Sequence, residues 1–269
     1  MERLGPSEIK LLAWAQNRGV SVLRTGDLVK AFRLSPKQEA RLLANTSRKR
    51  LITKIVRGLY LLPCTLPAGG VYVPSPYLVL EALMTQVKAT GYQISGLLAF
   101  NSYGLETQIP NQMDVYNDKL SGWKTIGGQR FRFIKVPKDR LGDTKIFSVK
   151  ENEKKTIATP YSSLPRAVFD GIYDSEKFGT LPKAFDWLIQ RMGDSQFMGT
   201  FLKIVLKLGN DSTMKRVGCI LEQAGYKGAT LKMLYKEASR SQVIVPLIPK
   251  RKRHGKRDAK WRVIINEEG

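Results

Sequence analysis

The 269-residue sequence predicts an α+β protein, an N-terminal winged helix-turn-helix followed by a larger mixed α/β C-terminal region. Three observations predict it. The opening stretch runs helix, short strand, helix, helix, hairpin. The middle alternates apolar and polar residues with the period of half-buried strands, and the last third returns to helical spacing punctuated by Gly and Pro. The expected divisions are a winged-helix DNA-binding domain over 1–65, an α+β middle section over 66–180, and a mostly helical part over 181–269 that ends in a basic loop and a strand pair.

Ser7 is placed to cap a first helix whose Ile9, Leu11, Leu12 and Trp14 fall on roughly one side, and Asn17-Arg18-Gly19 stops it with a cation and then a glycine. Val20–Leu23 is a short β-type segment. Thr25 precedes GDLVKAF, where Leu28, Val29 and Phe32 share a helical face. Ser35-Pro36 opens the third helix, about Pro36–Lys49, with Ser at the N-cap, Pro at the first position and Gln38 completing a capping box. LITKIV and LYLLP around Arg57-Gly58 then read as a hairpin.

Beyond Pro63 the composition changes. CTLPAGGVYVPSP is a linker, YLVLEALMTQV a helix, and GYQISGLLAFNSYGL a tightly packed helix after a Gly turn. MDVYND, KTIGGQRFRFIKVP and TKIFSVKENEKKTIATP alternate as strands. Gly127-Gly128 makes a hairpin turn, and Arg130, Arg132 and Lys135 interleave with Phe131, Phe133 and Val136 as on a strand with one solvated face. SSLPRAVFDGIYD, PKAFDWLIQRM, SQFMGTFLKIVLKLG, STMKRVGCILEQAG and ATLKMLYKEA are helical; QVIVPLIP and KWRVIIN, on either side of a basic loop, are strand-like and can pair.

Charge is the unusual quantity. Forty-five Lys and Arg against 23 Asp and Glu leave +22, with a pI near 10.0. Residues 1–65 carry 13 Lys and Arg against 4 Asp and Glu, a net +9 in a quarter of the chain, and PKRKRHGKRDAKWR forms a second cluster. A polyanionic partner follows, because neutralising phosphates releases condensed counterions. The third helix would enter the major groove of double-stranded DNA, with the hairpin as a wing on the backbone. Lys37, Arg41, Asn45, Ser47, Arg48, Lys49, Arg50, Lys54 and Arg57 are the candidate DNA contacts, with Thr46 as a further hydrogen-bonding group, while Tyr60 and Leu61 pack the wing down. Lys215, Arg216, Arg251, Arg253 and Arg262 make a candidate second basic surface, for nucleic acid or protein. The same pattern also fits a small helical domain with a solvated basic face, or a protein-interaction module.

Little else in the sequence carries chemistry. His254 is the single histidine and sits in the basic loop, so no His-based triad or metal site is expected, and no cofactor. Asp114 and the Asp143–Lys145 triplet leave open a metal-dependent nuclease, although solvated carboxylates at strand ends are the preferred reading. Cys64 and Cys219 read as reduced thiols of a cytoplasmic protein. No apolar run has the roughly 18 residues a membrane span needs, and the first residues lack the apolar core of a secretory signal.

Taken in order, VRGLYLLP, GYQISGLLAFNSYGLETQIPNQMDVYN, IATPYSSLPRAVFDGI and MKRVGCILEQAGY followed by PKRKRHGKRDAKWRVIIN resemble the AbiEi family of antitoxin-type transcriptional regulators. The departures are Leu97-Leu98, where the family often has a tryptophan before the small residue, and Ser162–Pro165 before Arg166, where it often reads closer to TPERALLD. The resemblance implies a winged-helix repressor of its own operon that binds inverted repeats at the promoter, with self-association on DNA. It also implies a C-terminal region that counters a neighbouring nucleotidyltransferase-like toxin without a stable complex, in phage defence by abortive infection.

Overall fold

The computed structural model describes residues 4–65, 70–151 and 156–266. Among them are eleven α-helices and several β-sheets, a mixed α+β architecture. The order begins α1 (Pro6–Arg18), β1 (Val22–Arg24), α2 (Asp27–Phe32), α3 (Pro36–Arg48), β2 (Thr53–Val56) and β3 (Leu59–Leu61). It continues α4 (Pro76–Gln86), β4 (Tyr92–Ser95), α5 (Gly96–Ser102), β5 (Gln112–Asn117), β6 (Gly122–Ile126), β7 (Gln129–Lys135), β8 (Thr144–Lys150) and β9 (Thr156–Ser162). Helices α6 (Leu164–Tyr173), α7 (Ser175–Phe178), α8 (Lys183–Ile189), α9 (Ser195–Leu208), α10 (Asp211–Gln223) and α11 (Ala229–Ala238) precede β10 (Val245–Pro246), β11 (Lys256–Asp258) and β12 (Val263–Ile265). Part of the expected linker, residues 66–69, and part of the expected strand run, residues 152–155, lie outside the described residues. No described helix is long and apolar enough to cross a membrane.

The chain forms two compact units, one of Met1–Tyr92, Asn111–Lys138 and Ile146–Thr159, the other of Gln93–Pro110, Asp139–Lys145 and Pro160–Gly269. In the first unit α1, α2 and α3 share a core of Leu11, Leu12, Leu28, Leu42 and Leu43, closed below by Leu23 and Leu62. Trp14 meets Phe32 edge-on at 5.6 Å. The sheet order is β1-β3-β2, antiparallel throughout, with Arg57-Gly58 turning β2 into β3. Gly58 adopts φ 79, as the turn requires.

Caps set the starts of α1 and α3, and one buried acid ties α3 to α2. Helix α3 starts as the sequence indicates: the Ser35 side chain accepts from the Gln38 N–H, and Gln38 accepts from the Ser35 N–H at 2.8 Å. Helix α1 starts earlier than Ser7. Pro6 occupies its first position and the Glu8 carboxylate accepts the Gly5 N–H at 2.8 Å, so Gly5 is the cap and Ser7 lies inside the first turn. Glu39 is 1% exposed, on the buried side of α3. Its carboxylate accepts the Gly26 N–H at 2.8 and 3.0 Å and the Leu28 N–H at 2.9 Å, satisfying the first turn of α2 where a helix dipole favours negative charge. Glu39→Ala should lower stability by about 2–3 kcal/mol, since buried donors lose a charged acceptor. Urea denaturation measures this, and a change below about 0.5 kcal/mol would show that water replaces the carboxylate.

The same unit holds β6, β7 and β5, with β6 antiparallel and β5 parallel to β7. The turn between β6 and β7 has Gly127 at φ 59 and Gly128 at φ 82, the two positive values of a two-residue hairpin. A Cβ on Gly127 would lie 3.0 Å from both Pro74 and Thr53 side-chain carbons, so the hairpin tip sits tightly against β2 and the segment before α4.

In the second unit, GYQISGLLAF is strand before it is helix. Ile94 of β4 is buried and pairs parallel with Tyr161 of β9, and Gly96 at φ 63 turns the chain into α5. Helix α6 is buried along most of its length, with Gly171 close under Trp187. Inside it Arg166 Nε donates to Asp170 at 2.8 Å with both side chains 0% exposed. Ser95 and Ser162 hydroxyls each donate to the other Asp170 oxygen at 2.9 Å. Near the C-terminus β12 pairs parallel with β10 and antiparallel with β11. QVIVPLIP and KWRVIIN therefore do pair, though only over two residues, and the basic loop contributes a strand of its own.

Candidate nucleic-acid interface

Helix α3 separates its faces by spacing alone. At about 100° per residue, Glu39, Leu42, Leu43 and Thr46 fall on one side and Lys37, Arg41, Ala44 and Arg48 within an arc of roughly 60° on the other. The first four are buried and the second four exposed. Ala44 in the middle of the cationic stripe leaves the helix backbone approachable, with long cations to either side. Asn45 borders the stripe, half-buried, and lines with Arg41, Gln38 and Lys10 a concavity of about 320 Å³.

The charge continues past the end of α3. Arg50 is exposed and takes a left-handed φ of 57 as the chain leaves the helix. Lys54 and Arg57, on and after β2, are also exposed. Ser47, Arg50, Thr53, Lys54 and Tyr72 line a groove of about 450 Å³ whose far wall is the Gly127-Gly128 turn. At Gly128, where nothing lies within 4 Å of a Cβ position, that wall leaves backbone open, while Pro74 and Thr53 fill the same space at Gly127.

Two residues of the α3 segment behave differently from the sequence reading. Lys49 donates to Glu8 at 2.9 Å, linking the end of α3 to the start of α1. Burial alone would raise the Glu8 pKa, but the Gly5 N–H and the ammonium of Lys49 hold it below the ordinary carboxylate value. Lys49 is half-buried and engaged in the fold, a structural cation. Thr46 is 0% exposed and its hydroxyl donates to the Leu42 carbonyl at 2.7 Å, which removes it from any surface.

The second basic set is likewise less superficial than its charge suggests. Lys215 is 1% exposed and donates to the carbonyls of Ser241 at 2.9 Å and Val243 at 2.6 Å. Burial lowers its pKa, the nearby Arg262 acts in the same direction, and Asp211 opposes them. Arg216 donates to the Pro246 carbonyl at 2.9 Å, so the KRVG phrase does face the strands, but through carbonyl contacts. Arg251 and Arg262 are half-buried, whereas Arg253 is exposed with Lys252, His254, Lys256 and Arg257. Asn266 anchors this loop: buried at 1%, it accepts the Ile248 N–H at 2.9 Å and donates to the carbonyls of Ile248 and Lys252 at 3.0 Å each. It was legible in the sequence only as the last residue of a strand.

The acids considered for a metal site have other surroundings. Asp114 is 1% exposed and accepts from Arg132 Nε at 2.7 Å, while Asp143 is exposed at φ 53. Among the described residues no three His, Cys, Asp or Glu side chains gather in a group that could hold a metal ion. Cys64 and Cys219 are both thiols, the second buried.

No family model matches the chain, and no curated protein matches it. In fold it is similar to the crystal structure of the RV2827C protein from Mycobacterium tuberculosis, with a TM-score of 0.65 over 97% of this chain and 92% of that one. At 12% identity the likeness concerns the fold alone.

Proposed function

We propose that α1–α3 with the β2–β3 hairpin work as a winged helix-turn-helix reader of double-stranded DNA, and that the chain is a transcriptional repressor of the AbiEi type. The observation that carries the proposal is the exposed stripe Lys37, Arg41, Ala44 and Arg48, continued by Arg50, Lys54 and Arg57. A helix fits a major groove about 12 Å wide, and the small residue lets it sit deep while flanking cations reach base edges and phosphates. The hairpin cations then fall on the adjoining backbone. Inverted repeats would engage two copies of the chain, with half-sites about 34–36 Å apart for neighbouring turns of one duplex face.

The antitoxin half rests on the ordered sequence phrases that resemble the family, and on the large second unit that remains beyond the DNA reader. In this reading the chain opposes a nucleotidyltransferase-like toxin by antagonism and forms no lasting complex with it.

The test is a titration of the full chain against its own upstream region and a scrambled duplex, at two salt concentrations, with Mg²⁺ present and the DNA inspected for cuts. Specific binding to uncut DNA, weakening steeply with salt, is the expected result. Equal affinity for both duplexes would end the repressor reading, and Mg²⁺-dependent cutting would establish a nuclease in its place. Co-expression with the neighbouring toxin then reads the second half as restored growth.

A further inference from the structure

The second unit holds a small polar cavity of about 70 Å³ between α10, α11 and the turn before β12. Its walls include Lys215, Ser239, Ser241, Tyr235, Lys260 and Arg262, and no carboxylate lines it. Lys215 reaches it from inside the fold, 1% exposed, held by the carbonyls of Ser241 and Val243. Arg262 also lines it, at a left-handed φ of 55, a conformation that costs a non-glycine residue energy and that recurs at ligand sites. Its own contact in the fold is a weak one, Nη1 to the Ser241 carbonyl at 3.4 Å. Lys260 is ion-paired with Glu222, which also accepts from Trp261 Nε1 at 2.7 Å, and Asp211 acts on Lys215 from outside the cavity walls.

The surrounding frame is rigid. Asp258 accepts the Trp261 N–H at 2.8 Å and fixes the turn, and Trp261 is 1% exposed against Gly218 of α10. A Cβ at Gly218 would lie 2.1 Å from the indole, so glycine is required for the turn to close on α10 one helical turn from Lys215. Two like charges are thereby kept close together, facing a cavity with two seryl residues and no carboxylate among its walls. Like charges brought together in this way are relieved by a bound anion. A cavity of about 70 Å³ admits a few waters or one group of phosphate size.

We propose that this cavity is a phosphate-group site, in which Lys215 and Arg262 carry the charge recognition and Ser241 presents a hydroxyl, that of Ser239 being bonded to the Lys236 carbonyl at 3.0 Å. Its ligand chemistry is a phosphate oxyanion, either free phosphate or the terminal phosphate of a nucleic acid. The site is independent of the DNA reading for α3, which belongs to the other unit.

The experiment is calorimetric titration of the full chain with sodium phosphate against a chloride control at matched ionic strength, repeated with Arg262→Gln and Lys215→Met. One saturable site per chain, weakened at least tenfold by Arg262→Gln, is the expected result. Arg262→Gln is the decisive variant because Lys215→Met also removes contacts that hold the Ser241–Val243 segment. Absence of saturable phosphate binding, or binding unchanged in Arg262→Gln, overturns the proposal. A 5′-phosphorylated oligonucleotide that displaces phosphate, beside a 5′-hydroxyl one that does not, assigns the site to nucleic-acid ends; failure of both to displace bound phosphate assigns it to the free ion.

Discussion

Asp170→Asn should destabilise the protein by about 3–5 kcal/mol, the range for leaving one member of a buried ion pair without its counter-charge. Arg166 and Asp170 are both 0% exposed, one helical turn apart on α6, and their contact is 2.8 Å long. The guanidinium also donates to the Gly142 carbonyl at 3.2 Å. Ser162 donates to Asp170 and accepts from Gln93 at 2.9 Å, and Gln93 accepts the Gly142 N–H at 2.9 Å, so the network closes through four segments of the second unit. An amide at position 170 leaves the guanidinium charge in place and presents N–H groups to at least one hydrogen-bond donor. Such networks fail together, because each group left unpaired in a low-dielectric interior costs its full desolvation. The double variant Arg166→Met/Asp170→Leu should lose less than Asp170→Asn, since it removes both charges at once. Urea denaturation followed by tryptophan emission makes the comparison; if the single variant loses less than about 1 kcal/mol, water enters α6 and the pair is not isolated.

This network also marks where sequence reading stops. Helical spacing located α6, capping residues located α3, and the α3 capping box forms between the residues the sequence indicates. Those signals are local: they rest on neighbours three or four positions apart. What Lys49 does depends on Glu8, 41 positions away, and Lys215 depends on carbonyls 26 and 28 positions on. A sequence shows such cations only as charge, and both were read as surface. Glu39 was the reverse case. Its place on the apolar side of α3, in line with Leu42, Leu43 and Thr46, was available as a signal that an acid there must find buried donors. The strand at the start of GYQISGLLAF was hidden because a buried parallel strand and a buried helix share the same apolar character, and only the pairing of Ile94 with Tyr161 separates them. Gly218 was legible as a small residue in a helix, yet its reason, the indole of Trp261, lies on a turn far along the chain.

Salt dependence should separate the cations that meet DNA from those that hold the fold. Lys37, Arg41, Arg48, Arg50, Lys54 and Arg57 are exposed. If each neutralises one phosphate, log K falls with log salt at a slope of roughly −5, a loss of roughly a thousandfold between 50 and 200 mM. Arg48→Gln/Arg57→Gln, one on α3 and one at the hairpin turn, should make that slope shallower by roughly two and shrink the loss to roughly a hundredfold. Lys49→Met should behave differently although Lys49 adjoins Arg48. Its ammonium is spent on Glu8, so the slope should stay near that of the native chain while stability falls by about 1–2 kcal/mol. The Glu8 carboxyl is held below its ordinary pKa, so it gains its protein contacts as the anion; the stability it contributes is present at neutral pH and is lost as pH falls through the carboxylate range. Fluorescence anisotropy on one labelled operator at four salt concentrations reads the slopes, and thermal melts read the stabilities. A slope that changes equally for Arg48 and Lys49 variants would place the duplex over the α1–α3 junction and move the contact surface off the Lys37–Arg41–Arg48 stripe.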